Sequence, residues 1–244
     1  MDTNPVIEFV DIWKGFGTLD VLKGVSLSVQ QGKSAVVMGG SGSGKSVLIK
    51  HVVKLLSPDS GTILVRGNDV ALMSNEETDR LRLSIGYLFQ SGALFDSMTV
   101  TDNMDFILDR HTTLTPSERI DRIDETLSWV NLVEKKRHFP SELSGGQQKR
   151  IALARAIVLN PEILLYDEPT TGLDPISVRD VSDLIVRLRD ERGITSVAIT
   201  HDLLCAEIIA DDVHFLSDGR ILTSGSLEEV RRSDHRDISN FFGQ

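Results

Sequence analysis

The sequence predicts an α/β fold: a mostly parallel sheet with helices on both faces, an antiparallel β opening and an inserted helical segment. Three observations carry this. In the second half, the short apolar runs 163–166 (ILLY) and 196–200 (SVAIT) alternate with helix-length segments, the order that builds parallel sheets. Near the start, 6–12 (VIEFVDI) and 21–29 (VLKGVSLSV) alternate apolar and polar residues, as half-buried strands do. From Thr101 to about Phe139, by contrast, no strand candidate interrupts the helical pattern.

Taken in order, the two opening strands flank a loop at 13–20 containing Gly15, Phe16 and Gly17. Residues 34–38 (SAVVM) read as a buried strand, and 47–56 as a helix by length and apolar spacing. A turn at 58–61 (PDSG) leads into a strand at 62–66 (TILVR). Ser74 and Glu77 form a capping box that starts a helix running to about Leu83. Residues 85–89 (IGYLF) are a short strand ending at Gln90. Thr115-Pro116-Ser117-Glu118 joins a second capping box to a proline at the first helical position. Ile120, Ile123, Leu127 and Val130 follow at helical spacing. A helix at 144–159 carries two glycines in its first turn, and Asp174-Pro175 caps another reaching about Glu191. Asp218-Gly219, between 213–216 and 220–223, signals a hairpin. Ser226 to Glu229 caps a last short helix. One domain is expected, with a core at 1–90 and 160–244 and a helical subdomain at about 91–159.

Composition narrows the function. The 244 residues are 40% hydrophobic and 25% charged, with a formal net charge of −10. That is a globular balance, and the acidity argues against a nucleic-acid partner, which needs a basic face. No apolar run approaches the ~20 residues of a membrane span, and the opening MDTNPVIEF shows no signal-peptide pattern. The one cysteine, Cys205, excludes an internal disulfide and fits a reducing cytosol.

The chemistry centres on Gly39, Gly40, Ser41, Gly42, Ser43, Gly44, Lys45 and Ser46, which satisfy G-x-x-x-x-G-K-[ST] between a strand and a helix. The glycines let backbone N–H groups close around phosphate oxygens at the positive end of the helix. Lys45 is expected to reach the β- and γ-phosphates, and the Ser46 hydroxyl to sit on Mg²⁺. Asp167, at the end of ILLY, is expected to hold Mg²⁺ opposite Ser46. The adjacent Glu168 is placed to orient or deprotonate the attacking water. Ser144, Gly145, Gly146 and Gln147, within LSGGQ, make a second anion-binding helix start. One nucleotide rarely needs two γ-phosphate cradles, so the second should close over a nucleotide held by another copy.

The phosphate loop, Gln90, LSGGQ, ILLYDE, Gly172-Leu173-Asp174 and His201, in that order, resemble the ATP-binding cassette (ABC) ATPases along essentially the whole chain. The resemblance implies a mixed-sheet ATPase core and two ATP, with Mg²⁺, sandwiched between two chains. Phe16 then matches the aromatic that stacks on adenine, the alternative being a buried core aromatic. Gln90 matches the glutamine that senses metal, water and the membrane partner. Ser144 and Gly146 match donors to the opposite subunit's γ-phosphate. Asp174 matches a dimer contact, although a helix cap alone would explain it, and His201 matches the γ-phosphate histidine.

Within that family, the short span from Gln90 to Ser144 and the single cassette argue against the DNA-repair and translation branches. A transporter's cytosolic ATPase subunit remains, with integral-membrane permease subunits on separate chains. Ser91-Gly92-Ala93-Leu94-Phe95 looks like the Mla/Mce lipid-transport ATPases. Those move phospholipids between bacterial inner and outer membranes with an MCE-domain lipid-binding protein. The expected location is therefore the cytoplasmic face of the inner membrane. Leu94, Phe95 and Met98 are candidates for the groove receiving a permease helix. An importer of amino acids or other small solutes is the alternative, and a soluble non-transport ABC protein the more distant one. The tail at 238–244 (ISNFFGQ) has two readings, docking on a neighbouring chain or folding back.

Overall fold

The computed structural model describes residues 5–243. Residues 1–4, the start of the segment read for a leader, and Gln244, which ends the tail, lie outside the described residues. The first sheet is antiparallel throughout: β1 (Ile7–Phe16), β2 (Leu19–Val29), β4 (Ser60–Val65) and β5 (Asn68–Asp69), ordered β2-β1-β4-β5. The second contains β3 (Ser34–Met38), β6 (Ile85–Leu88), β7 (Ile163–Asp167), β8 (Thr195–Thr200), β9 (Asp212–Ser217) and β10 (Arg220–Gly225). Its order is β10-β9-β3-β8-β7-β6, parallel except for the β9–β10 hairpin.

The strand period of two divides the core cleanly. Val36, Met38, Leu164, Tyr166, Ala198 and Phe215 face one hydrophobic cluster. Ala35, Val37, Ile163, Leu165, Val197 and Ile199 face the other. Successive side chains of a strand point to opposite faces, and strands covered on both faces read as continuous apolar runs. Helices α3 (Val100–His111), α4 (Pro116–Trp129), α5 (Gly145–Ile157), α6 (Pro175–Arg192) and α7 (Leu203–Ile209) bury their apolar stripes in the first cluster. Helix α1 (Lys45–Val52) and the antiparallel sheet pack in the second, with Leu81 of α2 (Asn75–Ser84). The expected capping boxes form at Ser74–Glu77, Thr115–Glu118 and Ser226–Glu229, the last opening α8 (Leu227–Arg231), and a further box forms at Ser144–Gln147.

Three expectations need correction. The loop expected at 13–20 is mostly strand: β1 continues to Phe16 and β2 begins at Leu19. A bulge hides the continuation, because the register slips between Phe9 and Ile12 and Asp11 takes φ 52°. A bulge resets which face each side chain meets. The helix expected at 47–56 is α1, which starts at Lys45 and ends at Val52. Its stop is a left-handed Lys54 (φ 52°), a C-terminal conformation that glycine usually announces. Finally, a helix α9 (Arg236–Phe242) lies beyond the last one expected. It folds back rather than projecting: Ile238 is fully buried, and the Phe241 ring meets Phe215 edge-on at 5.2 Å.

Candidate functional site

Parallel strands bring the motifs to one edge. β3 ends at Met38 before the glycine loop, β7 at Asp167 before Glu168, β8 at Thr200 before His201, and β6 at Leu88 just before Gln90. Ligands of open α/β sheets bind in the crevice outside these carboxyl ends. A wide cavity of about 1330 Å³ opens at the opposite edge, among Arg66, Glu162, Ile163, Arg192 and Thr195. Ile163 and Thr195 begin β7 and β8 of the central sheet, so the cavity lies away from the motifs at those strands' ends.

The loop's close quarters dictate its first glycine. A Cβ on Gly39 would stand 2.1 Å from the carbonyl oxygen of Leu216, and its φ is 149°. No side chain fits there. Lys45 is 6% exposed, and its ammonium donates to the carbonyls of Gly39 (2.8 Å) and Gly40 (3.0 Å). Burial lowers its pKa, opposed by the charges of Glu168 and Asp167. The Ser43 hydroxyl is buried without a hydrogen-bond partner among the described residues. An orphaned polar group of this kind suits a loop whose missing partner is an anion.

Ser46 Oγ donates to Asp167 Oδ1 at 3.0 Å, while the Tyr87 hydroxyl lies 3.4 Å from Asp167 Oδ2. No group of three or more His, Cys, Asp or Glu side chains that could hold a metal exists among the described residues. One carboxylate and one hydroxyl side by side fit Mg²⁺, which keeps waters and substrate phosphates as its other ligands. Next door, Glu168 is 8% exposed, and both its carboxylate oxygens lie 2.9–3.0 Å from His201 Nδ1. His201 donates if its proton is on Nδ1. Thr171 Oγ1 donates to the same carboxylate at 3.1 Å.

The other predicted residues sit further out. Phe16 is 47% exposed with Lys14 Nζ 5.5 Å from its ring centroid, so the core-aromatic alternative is excluded. Gln90 and Ser144 are exposed, and Gly145 is too. Ser144 caps α5, accepting from the Gln147 N–H while Gln147 Oε1 accepts from the Ser144 N–H. Gly146 is buried, where a Cβ would meet Ser177 Oγ at 2.8 Å. Asp174 caps α6, taking the N–H groups of Ile176 and Ser177 and the Ser177 hydroxyl. These bonds, the Ser177 hydroxyl first, hold its carboxyl below the usual range.

The ABC transporter family model matches residues 22–171. This chain belongs to the ABC transporter family. As an ABC ATP-binding domain it is an ATPase. The chain is 38% identical to TRIGALACTOSYLDIACYLGLYCEROL 3 of the Arabidopsis thaliana chloroplast, covering 98% of this chain and 74% of that one. It is 37% identical to the probable ribonucleotide transport ATP-binding protein mkl of Mycobacterium leprae (99% and 70% covered). It is also 37% identical to the methionine import ATP-binding protein MetN of Corynebacterium diphtheriae (97% and 70%). Among solved structures it resembles the dimeric ATP-binding cassette MJ0796 bound to ADP and phosphate. That match has TM-score 0.82 and 30% identity over 91% of this chain and 98% of that one.

Sequence reasoning missed one buried residue of this ABC domain. Lys149, 8% exposed on α5, donates through a short bond to the Gln90 carbonyl and at 3.3 Å to the Glu168 carbonyl. A lysine in the polar run QQKR reads as solvated. Its spacing was the available signal: Gly146, Lys149 and Leu153 share one helix face at i, i+3 and i+7, and all three are buried.

Proposed function

We propose that this chain is the ATP-hydrolysing motor subunit of a bacterial transporter and works as a homodimer. The observation that carries the reading is the half-site. Lys45, Ser46, Asp167, Glu168 and His201 converge at one sheet edge, while the exposed start of α5 presents a second anion-binding N-terminus. In this reading, Gly39 to Ser46 hold the ATP phosphates, and Phe16 stacks on the base. Ser46, Asp167 and Gln90 would hold Mg²⁺, which would supply positive charge against the phosphates. Glu168 accepts the proton of the attacking water, and His201 holds its carboxylate and meets the γ-phosphate. Ser144 to Gln147 and Asp174 act across the dimer. The dimeric ADP-bound relative supports this arrangement.

Partner and cargo rest on further supports. Phe95 is 43% exposed against Phe106 (5.5 Å, edge-on), with Leu94 half-buried beside it, a surface suited to an apolar helix. No helix among the described residues is long and apolar enough to cross a membrane, so membrane attachment runs through permease subunits. Phospholipid is the favoured cargo, from the segment 91–95 and the lipid-named relative, with an MCE-domain protein as further partner. The methionine-import relative favours a small-solute importer as second reading.

Glu168→Gln tests the core of this. The variant should bind ATP, hydrolyse it at least ~100-fold more slowly and accumulate as a dimer on size exclusion. Hydrolysis at the wild-type rate would remove Glu168 from the mechanism. Detergent-solubilised membranes should yield the chain with a multi-span permease and phospholipid. Recovery with a permease but no lipid favours the importer.

A further inference from the structure

Glu168 has a left-handed backbone, φ 52°. For a residue with a side chain this conformation persists only where the surroundings over-determine it. Three bonds do so here. The Glu168 N–H donates to the Ile199 carbonyl at 3.0 Å, and its own carbonyl accepts from Lys149 Nζ at 3.3 Å and the Thr171 N–H at 3.4 Å. The ammonium is the strongest of these donors, because charge-assisted bonds are about twice as strong as neutral ones.

The same ammonium reaches the carbonyl of Gln90. Lys149 lines a cleft of about 340 Å³ between the loop after β6 and the segment 171–173. Burying an ammonium is costly unless its donors are used, and Lys149 spends two of its three on main chain. A second cation on α5 extends the grip: Arg155 donates to the carbonyls of Ala93 (2.6 Å) and Gly92 (3.0 Å). Gly92 and Ala93 are both left-handed, at φ 75° and 51°. The loop after β6 is thus held to the helix that carries LSGGQ, and among the described residues Lys149 carries that hold on to Glu168.

We propose that Lys149 is a positioning residue for hydrolysis: its ammonium ties the main chain of Gln90 to that of Glu168 and keeps the Glu168 carboxylate aimed at the nucleotide edge. A displacement of the loop after β6 then reaches the base through one side chain. The inference rests on the reading of Glu168 as the base.

Steady-state ATPase kinetics of the full chain test it. Lys149→Met keeps the aliphatic stem and removes the donors. Its kcat should fall on the order of tenfold, while KM for ATP stays within about twofold, the split expected when only transition-state geometry is lost. Lys149→Arg, which restores a charged donor, should recover most of kcat. Combined with Glu168→Gln, the Met variant should slow hydrolysis no further, since the two act as a unit. An unchanged kcat, a loss confined to KM, or no recovery by Arg overturns the proposal. If Lys149→Met does not fold, Lys149→Gln, which has a shorter and uncharged donor, carries the same test. Glu168→Gln alone separates the two ideas. If it hydrolyses normally, the reading of Glu168 fails; if it is inactive while Lys149→Met is unimpaired, only this inference fails.

Discussion

Adding one methyl group at adjacent glycines should give opposite results. At Gly39 a Cβ would stand 2.1 Å from Leu216 O, 3.1 Å from Leu216 C and 3.2 Å from Ser43 Oγ. Leu216 is fully buried on β9, which is hydrogen-bonded on one side to β3 and on the other to β10. It cannot retreat without disturbing both pairings. A non-glycine residue also pays for φ 149°. Strain of roughly 1–2 kcal/mol and overpacking of roughly 1–3 kcal/mol give Gly39→Ala a loss of about 2–5 kcal/mol. For a chain of this length each kcal/mol lowers Tm by about 2–4 °C. At Gly40 a Cβ meets nothing within 4 Å, and φ lies outside the positive range, so Gly40→Ala should stay within about 0.5 kcal/mol. Differential scanning calorimetry, with ATP-analogue titration by fluorescence, reads both. Gly39→Ala should melt at least several degrees early and bind nucleotide weakly; Gly40→Ala should melt as wild type does. Equal melting of the two variants would refute the packing argument.

Two more outcomes follow from buried groups. Burial lowers the pKa of His51 and of His214, so on acidification the unfolded chain takes up these protons first. Their stabilisation is complete above the unfolded value of about 6.5 and falls as pH drops below it, by at most ~1.4 kcal/mol per pH unit each. Urea unfolding between pH 7.5 and 5.5 should show this slope, and His51→Leu should reduce it; an unchanged slope would contradict the assignment. Deleting residues 236–244 should strip Ile238 from the first hydrophobic cluster and the Phe241 and Phe242 rings from Phe215, lowering Tm by several degrees at ~1.5–3 kcal/mol per buried apolar side chain. An unchanged Tm would mean that α9 contributes nothing to the monomer's core.

The strands and capped helices were legible because their signals are local. SAVVM and ILLY are apolar on both faces and lie in the central sheet, and each expected capping box formed. What stayed hidden depends on tertiary context. Asp11 shifts the β1 register without any glycine to mark it, and Lys54 ends α1 in a conformation its residue type does not advertise. The tail's aromatic pair gave no direction until Phe215 supplied a surface. In the candidate site, motif order placed Ser46 opposite Asp167; the contact between Glu168 and His201 came only from the structure. Motif order did not reach Lys149, whose partners are main-chain carbonyls 59 and 19 residues away. Carbonyls leave no mark on composition or spacing.

The central claim is that each hydrolytic site is built from two chains, and mixing two inactive variants tests it most directly. Lys45→Ala should disable the phosphate loop and Ser144→Arg the LSGGQ start of α5, each abolishing the ATPase of its own homodimer. In a mixed dimer both lesions fall in one site and leave the other intact. With random pairing, ATPase should return to about a quarter of wild type, because an isologous two-fold assembly places each loop against its partner's helix. A mixture as inactive as its components would contradict the shared site.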